Sequence, residues 1–287
     1  MKQILSIFYR LGKVKITSFV ALSSVLGYIL ASGKVDFFML IPMMGVFILA
    51  CGTSALNQVQ EWRYDALMNR TKGRPIPKSQ LTPEESAIIS ILAIISGEII
   101  IYVSSGTTAT ILGAFAVVWY NAFYTPLKRV TPMAVVPGAL IGSIPPAIGW
   151  VAGGGVLLSP QILSLCTFLF IWQIPHFWLL VLIYNKDYER AGFPTLTQKF
   201  TKKQLSRITY IWILALAASC MLVPLFGLSK NLYSVPVLVA ASFFLLWRTK
   251  TLLKQADSSI IRLAFVNINI YVLFVTSVLS LDKLIFG

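Results

Sequence analysis

The chain has 287 residues, is 57% hydrophobic and is only 12% charged, far below the roughly 25% of a soluble domain. Apolar runs near the ~20-residue spanning length recur from end to end, which excludes a soluble domain with one anchor and leaves an all-α polytopic membrane protein. A net charge of +14 in a soluble protein would point to nucleic acid, but here the cations lie between apolar runs, so the partner they imply is a lipid bilayer and not nucleic acid.

In chain order the spans are 16–33, 37–57, 86–104, 108–124, 133–152, 161–181, 207–227, 232–248 and 262–281. With nine crossings, every Lys and Arg except Lys34, Lys230 and Lys283 falls on one face. Cytoplasmic loops collect these residues, so the N-terminus is expected inside and the C-terminus outside. The basic N-terminus and the LAS near residue 31 give the first span a faint signal-peptide look. The downstream orientation does not need its removal, so it is read as retained. Residues 1–287 thus form one transmembrane domain. Cys51, Cys166 and Cys220 all lie in apolar segments; an odd set at lipid depth is neither a disulfide framework nor a metal motif.

The outer connections are short: SGKVD, SSGTT, AGGGVLLSPQ and FGLSKN. The two long polar stretches, 58–85 and 182–206, both lie on the cytoplasmic face, and function is expected there. The first begins at the end of an apolar helix with NQVQEWRYDALMNRTKGRP. If the helix continues, Asn57, Glu61 and Asp65 share one face, with about 40° of drift per step and roughly 12 Å between the outer two. Two carboxylates and an amide are hard oxygen donors, which suit Mg²⁺ held partly by substrate phosphates. Arg70, Lys72 and Arg74 follow at once, and guanidinium forks match phosphate oxygens. The plainer reading is a solvated loop whose acids offset neighbouring cations.

Two more stations weaken that plainer reading. YNKDYERAGFPTL, at the inner end of the sixth span, combines Asp187 with Lys186, Arg190, Tyr184 and Tyr188. YNAFYTPLKRVTP, at the inner end of the fourth, sets Tyr124 and Lys128 four residues apart beside Arg129. Deeper in the membrane lie His176, in WQIPHFW, and Glu98, in SGEIIIYVSS. A lone intramembrane His invites an axial contact to heme iron or a proton-accepting role; it also fits a helix-end imidazole bonded to a carbonyl freed by Pro175. Glu98 reads equally as functional or as a hydrogen bond between helices. Pro145-Pro146 should break or kink the fifth span.

The Asn-xxx-Glu-xxx-Asp pattern of 57–65 resembles the signature of the UbiA superfamily of intramembrane prenyltransferases. Its extension MNRTKGRPIP, with YTPLKR, PPAIGW, WQIPHFW and KDYERAGFP, is similar in particular to the protoheme IX farnesyltransferases (heme O synthases). The match covers about residues 10–200. The resemblance implies nine helices around a central cavity in the bacterial inner membrane, with the active site facing the cytoplasm. It implies transfer of the farnesyl group of farnesyl diphosphate to a vinyl group of heme B, with water added, to give heme O. Mg²⁺ would be held by Asn57, Glu61, Asp65 and Asp187. Arg70, Arg74, Lys186, Tyr188 and Tyr124 would bind substrate, Lys128 would hold the leaving diphosphate, and His176 would contact heme. Only Asp187, with Glu189 two residues on, stands where relatives carry a second Asp-xxx-Asp, so Lys186 is a substitute for metal there. Other readings are a relative acting on a quinone precursor or another tetrapyrrole, and a secondary transporter; a transporter would place its charges at mid-membrane. A homo-oligomer and a downstream heme-processing partner stay open.

Overall fold

The computed structural model describes residues 2–254 and 257–287, and every regular element among them is helical. A short helix, α1 (Lys2–Leu11), precedes eight that are long and apolar enough to cross a membrane. These are α2 (Val14–Ser32), α3 (Phe37–Leu67), α4 (Pro83–Leu127), α5 (Pro132–Ala152), α6 (Pro160–Arg190), α7 (Lys202–Leu225), α8 (Ser234–Leu253) and α9 (Ser258–Phe286).

The predicted third and fourth spans fall on the two legs of α4, whose 45 residues are twice what a bilayer needs. Gly106 interrupts it with φ 74° and ψ −175°, a region open to glycine and costly for other residues. The chain doubles back there. A Cβ placed on Gly113 would stand 2.7 Å from the Glu98 carboxylate, although fifteen residues of straight helix would separate the two by roughly 22 Å. The hairpin returns the end of α4 to the level at which it began. That beginning is set by a capping box: Thr82 Oγ1 accepts from Glu85 N–H and the Glu85 carboxylate accepts from Thr82 N–H. Pro83 follows at the first helical position, where no N–H is needed.

α5 is broken, as its prolines predict, but the break comes just ahead of the proline pair. A 3₁₀ turn at Leu140–Ser143 separates two short helical pieces, and Pro145 and Pro146 occupy the first turn of Ile144–Ala152. This second piece lies backbone to backbone on α2. A Cβ on Gly149 would fall 1.7 Å from the Ser24 carbonyl oxygen, and one on Gly27 would fall 1.9 Å from that of Pro146. Small residues permit such close approach inside a membrane, where lipid supplies no hydrophobic drive between helices. The second half of the chain packs with bulky side chains instead: Leu165 and Phe168 of α6, Leu216 of α7, Leu238 of α8 and Ile268 of α9 share one core.

α1 has no counterpart in the expected spans. Its Ile4, Leu5, Phe8 and Tyr9 are exposed, the pattern of a helix lying in the membrane interface. Its last carbonyls would be orphans, but Gln58 of α3 donates to the carbonyls of Arg10 and Leu11 at 3.0 and 2.6 Å. Arg10 in turn reaches the Gly73 carbonyl and the Gln80 side chain. Helix α1 is thereby tied to the polar loop that follows α3.

Candidate active site

Helix α3 runs far past the apolar stretch that ends near residue 57, and the extension carries the three predicted donors on one face. All three are buried: Asn57 is 2%, Glu61 4% and Asp65 1% exposed. Each meets a cation from a different segment. Arg74, in the loop after α3, pairs with Asp65 Oδ2 at 2.5 Å. Lys128, just beyond α4, pairs with Glu61 Oε2 at 2.5 Å. Lys13, in the corner between α1 and α2, reaches Asn57 Oδ1 at 3.4 Å. The Asn57 amide also donates to Glu61 Oε2 and to Thr125 Oγ1, which fixes its orientation.

Lys13 was not among the residues singled out by sequence reasoning. It reads there as one of four N-terminal cations, and no local motif marks it. The structure holds it in the left-handed region, φ 48° and ψ 45°, a conformation that non-glycine residues adopt at some cost. Desolvation, helped by Arg74 and Lys128 and opposed by Asp65 and Glu61, pushes its ammonium down to about 7. Lys128 is also lowered by desolvation, against the pull of Glu61. These are amines kept next to acids at real cost, the pattern of a site built for a ligand.

Tyr124 precedes Lys128 by one turn, and the Lys128 ammonium lies 5.4 Å from its ring. The backbone over Trp119–Tyr124 widens into a π-helical turn, a distortion often found at functional sites. The Tyr124 ring stacks on Tyr120 and fills the space over Gly138 of α5, where a Cβ would come within 2.5 Å of it.

The second station joins the first through backbone. Asp187, near the end of α6, accepts from Asn69 N–H at 3.3 Å and Arg70 N–H at 3.0 Å, with Arg190 at 3.7 Å. It thus fixes the turn from which Arg70 and Arg74 extend; the Arg70 guanidinium lies over the Tyr184 ring. Tyr188 packs edge-on to Phe193 and lies within electrostatic reach of Arg70, Glu61, Arg74 and Asp65. Two expected participants sit apart from this group. Lys186 is exposed and has no hydrogen bond or ion pair among the described residues. Glu189 faces the other way, accepting from Asn185 at 2.6 Å and Thr197 at 3.1 Å. His176 lies deeper, eleven residues before Asp187 on the same helix. It bonds to Asn269 of α9, not to a carbonyl freed by Pro175.

The donor set fits a divalent cation without forming a ready-made cage. Among the described residues, no three His, Cys, Asp or Glu side chains stand together as metal ligands. Glu61 Oε1, however, is buried without a hydrogen-bond partner, an acceptor left open about one helical turn from both Asn57 and Asp65. Hard oxygens in that number suit Mg²⁺, which completes its shell with water and phosphate.

Comparison with known proteins agrees with this architecture. The model of the UbiA prenyltransferase family matches residues 20–273. A protoheme IX farnesyltransferase of Geobacter sulfurreducens is 40% identical over 207 residues, 72% of this chain and 76% of that protein. One from Cytophaga hutchinsonii is 35% identical over 281 residues, 96% of this chain and 97% of that protein. Among solved structures, a digeranylgeranylglyceryl phosphate synthase superposes over 99% of both chains with a TM-score of 0.80 at 14% identity. A UbiA homolog from Archaeoglobus fulgidus bound to GPP and Mg²⁺ covers 95% of this chain and 99% of its own, with a TM-score of 0.70 at 11% identity. The chain belongs to the UbiA prenyltransferase family, with protoheme IX farnesyltransferases as its relatives.

Proposed function

We propose that this prenyltransferase moves the farnesyl group of farnesyl diphosphate onto a vinyl group of heme B and, with water, forms heme O. The observation that carries the reading is the convergence of Asn57, Glu61 and Asp65 with Lys13, Lys128 and Arg74. Three oxygen donors and three cations in one buried cluster complement a metal-bound diphosphate. The names of the relatives supply the acceptor.

The difficult step is ionisation: the bond between farnesyl C1 and oxygen breaks, and the diphosphate leaves with the electron pair. Catalysis is then chiefly electrostatic stabilisation of that leaving group. Bound through Glu61, Asp65 and Asn57, Mg²⁺ would supply Lewis-acid charge to the phosphate oxygens. Lys128, Lys13 and Arg74, which face the acids in the free protein, turn to the diphosphate when it enters. Arg70 joins them from the turn that Asp187 holds. Asp187 serves here as the brace of that turn, a role that differs from the metal ligand expected of it. The farnesyl chain lies among apolar helices, where exclusion of water keeps the allylic cation from early capture. The vinyl π pair of heme forms the new carbon–carbon bond to C1, water adds at the neighbouring carbon, and its proton leaves to solvent.

Counting the two legs of α4 separately gives nine crossings. We place the N-terminus and the active site on the cytoplasmic side of the bacterial inner membrane, because the Lys and Arg residues gather there. Purified protein incubated with heme B, farnesyl diphosphate and Mg²⁺, followed by mass analysis of extracted heme, tests the reading. A farnesylated, hydrated heme is the expected product. Unchanged heme alongside prenylation of a quinone precursor would overturn it.

A further inference from the structure

Helix α9 contributes nothing to the acid and base cluster, yet it places one amide against the chain's single histidine. Asn269 donates from Nδ2 to the Phe265 carbonyl at 2.5 Å, and its Oδ1 stands 2.9 Å from His176 Nδ1. The first contact decides the second. Rotating the amide by half a turn would set its oxygen against the Phe265 carbonyl oxygen, so Oδ1 must face the imidazole. An acceptor facing Nδ1 requires a proton on Nδ1. In the neutral ring, Nε2 then carries the lone pair.

Nε2 has no hydrogen-bond partner among the described residues. His176 is half-buried and not sealed. Around the ring stand Trp172 at 5.1 Å, Phe265 at 4.9 Å and Phe177 edge-on at 5.5 Å. This aromatic shell packs the ring on three sides. It suits coordination, which leaves the imidazole neutral. A histidine whose far N–H is committed to an oxygen acceptor, itself fixed by a further hydrogen bond, has the second layer that metal-ligating imidazoles carry. The position agrees: eleven residues before Asp187 on a helix is about 20° away in rotation and roughly 16 Å deeper. His176 therefore lies below the cation cluster, near the same side of α6, to within the local distortion at Tyr184.

We propose that Asn269 is a positioning residue that holds His176 as the Nδ1–H tautomer, so that Nε2 is presented to the iron of the tetrapyrrole substrate. The inference rests on the heme reading above and deepens it, adding a residue from a helix that carries none of the family-like motifs.

The test is a titration of the purified, monodisperse full chain with ferric heme B, without farnesyl diphosphate or Mg²⁺, read by Soret absorption and electron paramagnetic resonance. The wild type should show an imidazole-ligated spectrum. His176→Gly should lose it, and free imidazole should restore it. Asn269→Leu should weaken heme affinity about 10- to 100-fold, the usual cost of removing such a partner, whereas Asn269→Gln, which keeps both the amide acceptor and its donor, should retain the ligated spectrum. An unchanged spectrum in His176→Gly, or wild-type affinity and spectrum in Asn269→Leu, would overturn this proposal while leaving farnesyl transfer to be judged by product mass. A wild type that binds no heme, yet prenylates another acceptor, would overturn both.

Discussion

The two polar stations at the ends of α3 and α6 look alike in sequence, each an acid-bearing stretch where an apolar helix runs out among cations. The structure gives them different work. At the first, three side chains on one face each meet a cation from another segment: Asp65 with Arg74, Glu61 with Lys128, Asn57 with Lys13. At the second, Asp187 is bonded to the backbone N–H groups of residues 69 and 70, and Glu189 is turned into a side-chain network with Asn185 and Thr197. Ion pairs between mobile side chains can be exchanged for a ligand; bonds to backbone shape the loop and stay. Under the proposed function, the first station supplies the chemistry and the second is chiefly scaffold.

Substitutions should separate the two roles. Asp65→Asn keeps an oxygen for Arg74 but removes the charge, and turnover should fall about 1,000-fold, the loss typical of removing a key electrostatic group, with folding intact by size exclusion. Retained activity would remove Asp65 from the metal site. Asp187→Ala releases two charge-assisted hydrogen bonds worth about 1.5–3 kcal/mol each. Activity should fall roughly 100-fold, and the loop at 68–82 should become more sensitive to limited proteolysis. Activity lost without that loosening would mean that Asp187 acts on substrate directly. Lys13→Met removes one charged contact, and KM for farnesyl diphosphate should rise about tenfold, equivalent to about 1.4 kcal/mol. Glu189→Gln touches only an exposed network, so activity should change less than about twofold, in line with the small worth of exposed polar pairs. A large loss there would erase the contrast between the stations.

Much of this was legible in residue order because it obeys local periodicity. The spans follow from apolar length, and the common face of Asn57, Glu61 and Asp65 follows from four-residue spacing. The opposed directions of Asp187 and Glu189 were also there to be read, since residues two apart on a helix differ by about 200°. What stayed hidden is non-local. Lys13 enters the site through a left-handed corner after an interfacial helix, and no pattern within ten residues signals that path. Asn269 and His176 stand 93 positions apart and meet because α9 packs on α6. The reversal of α4 between its two legs rests on the backbone at Gly106, whose left-handed geometry a sequence of the form SSGTT leaves open.

The central claim is that the donors on α3 hold a divalent cation against a diphosphate. Calorimetric binding of a non-ionising thio analogue of farnesyl diphosphate, with and without Mg²⁺, tests it most directly. For the wild type, removing Mg²⁺ should weaken binding about 100-fold, some 2.7 kcal/mol, while Glu61→Gln and Asp65→Asn should bind weakly under both conditions. An Mg²⁺ dependence unchanged in both variants would contradict the account.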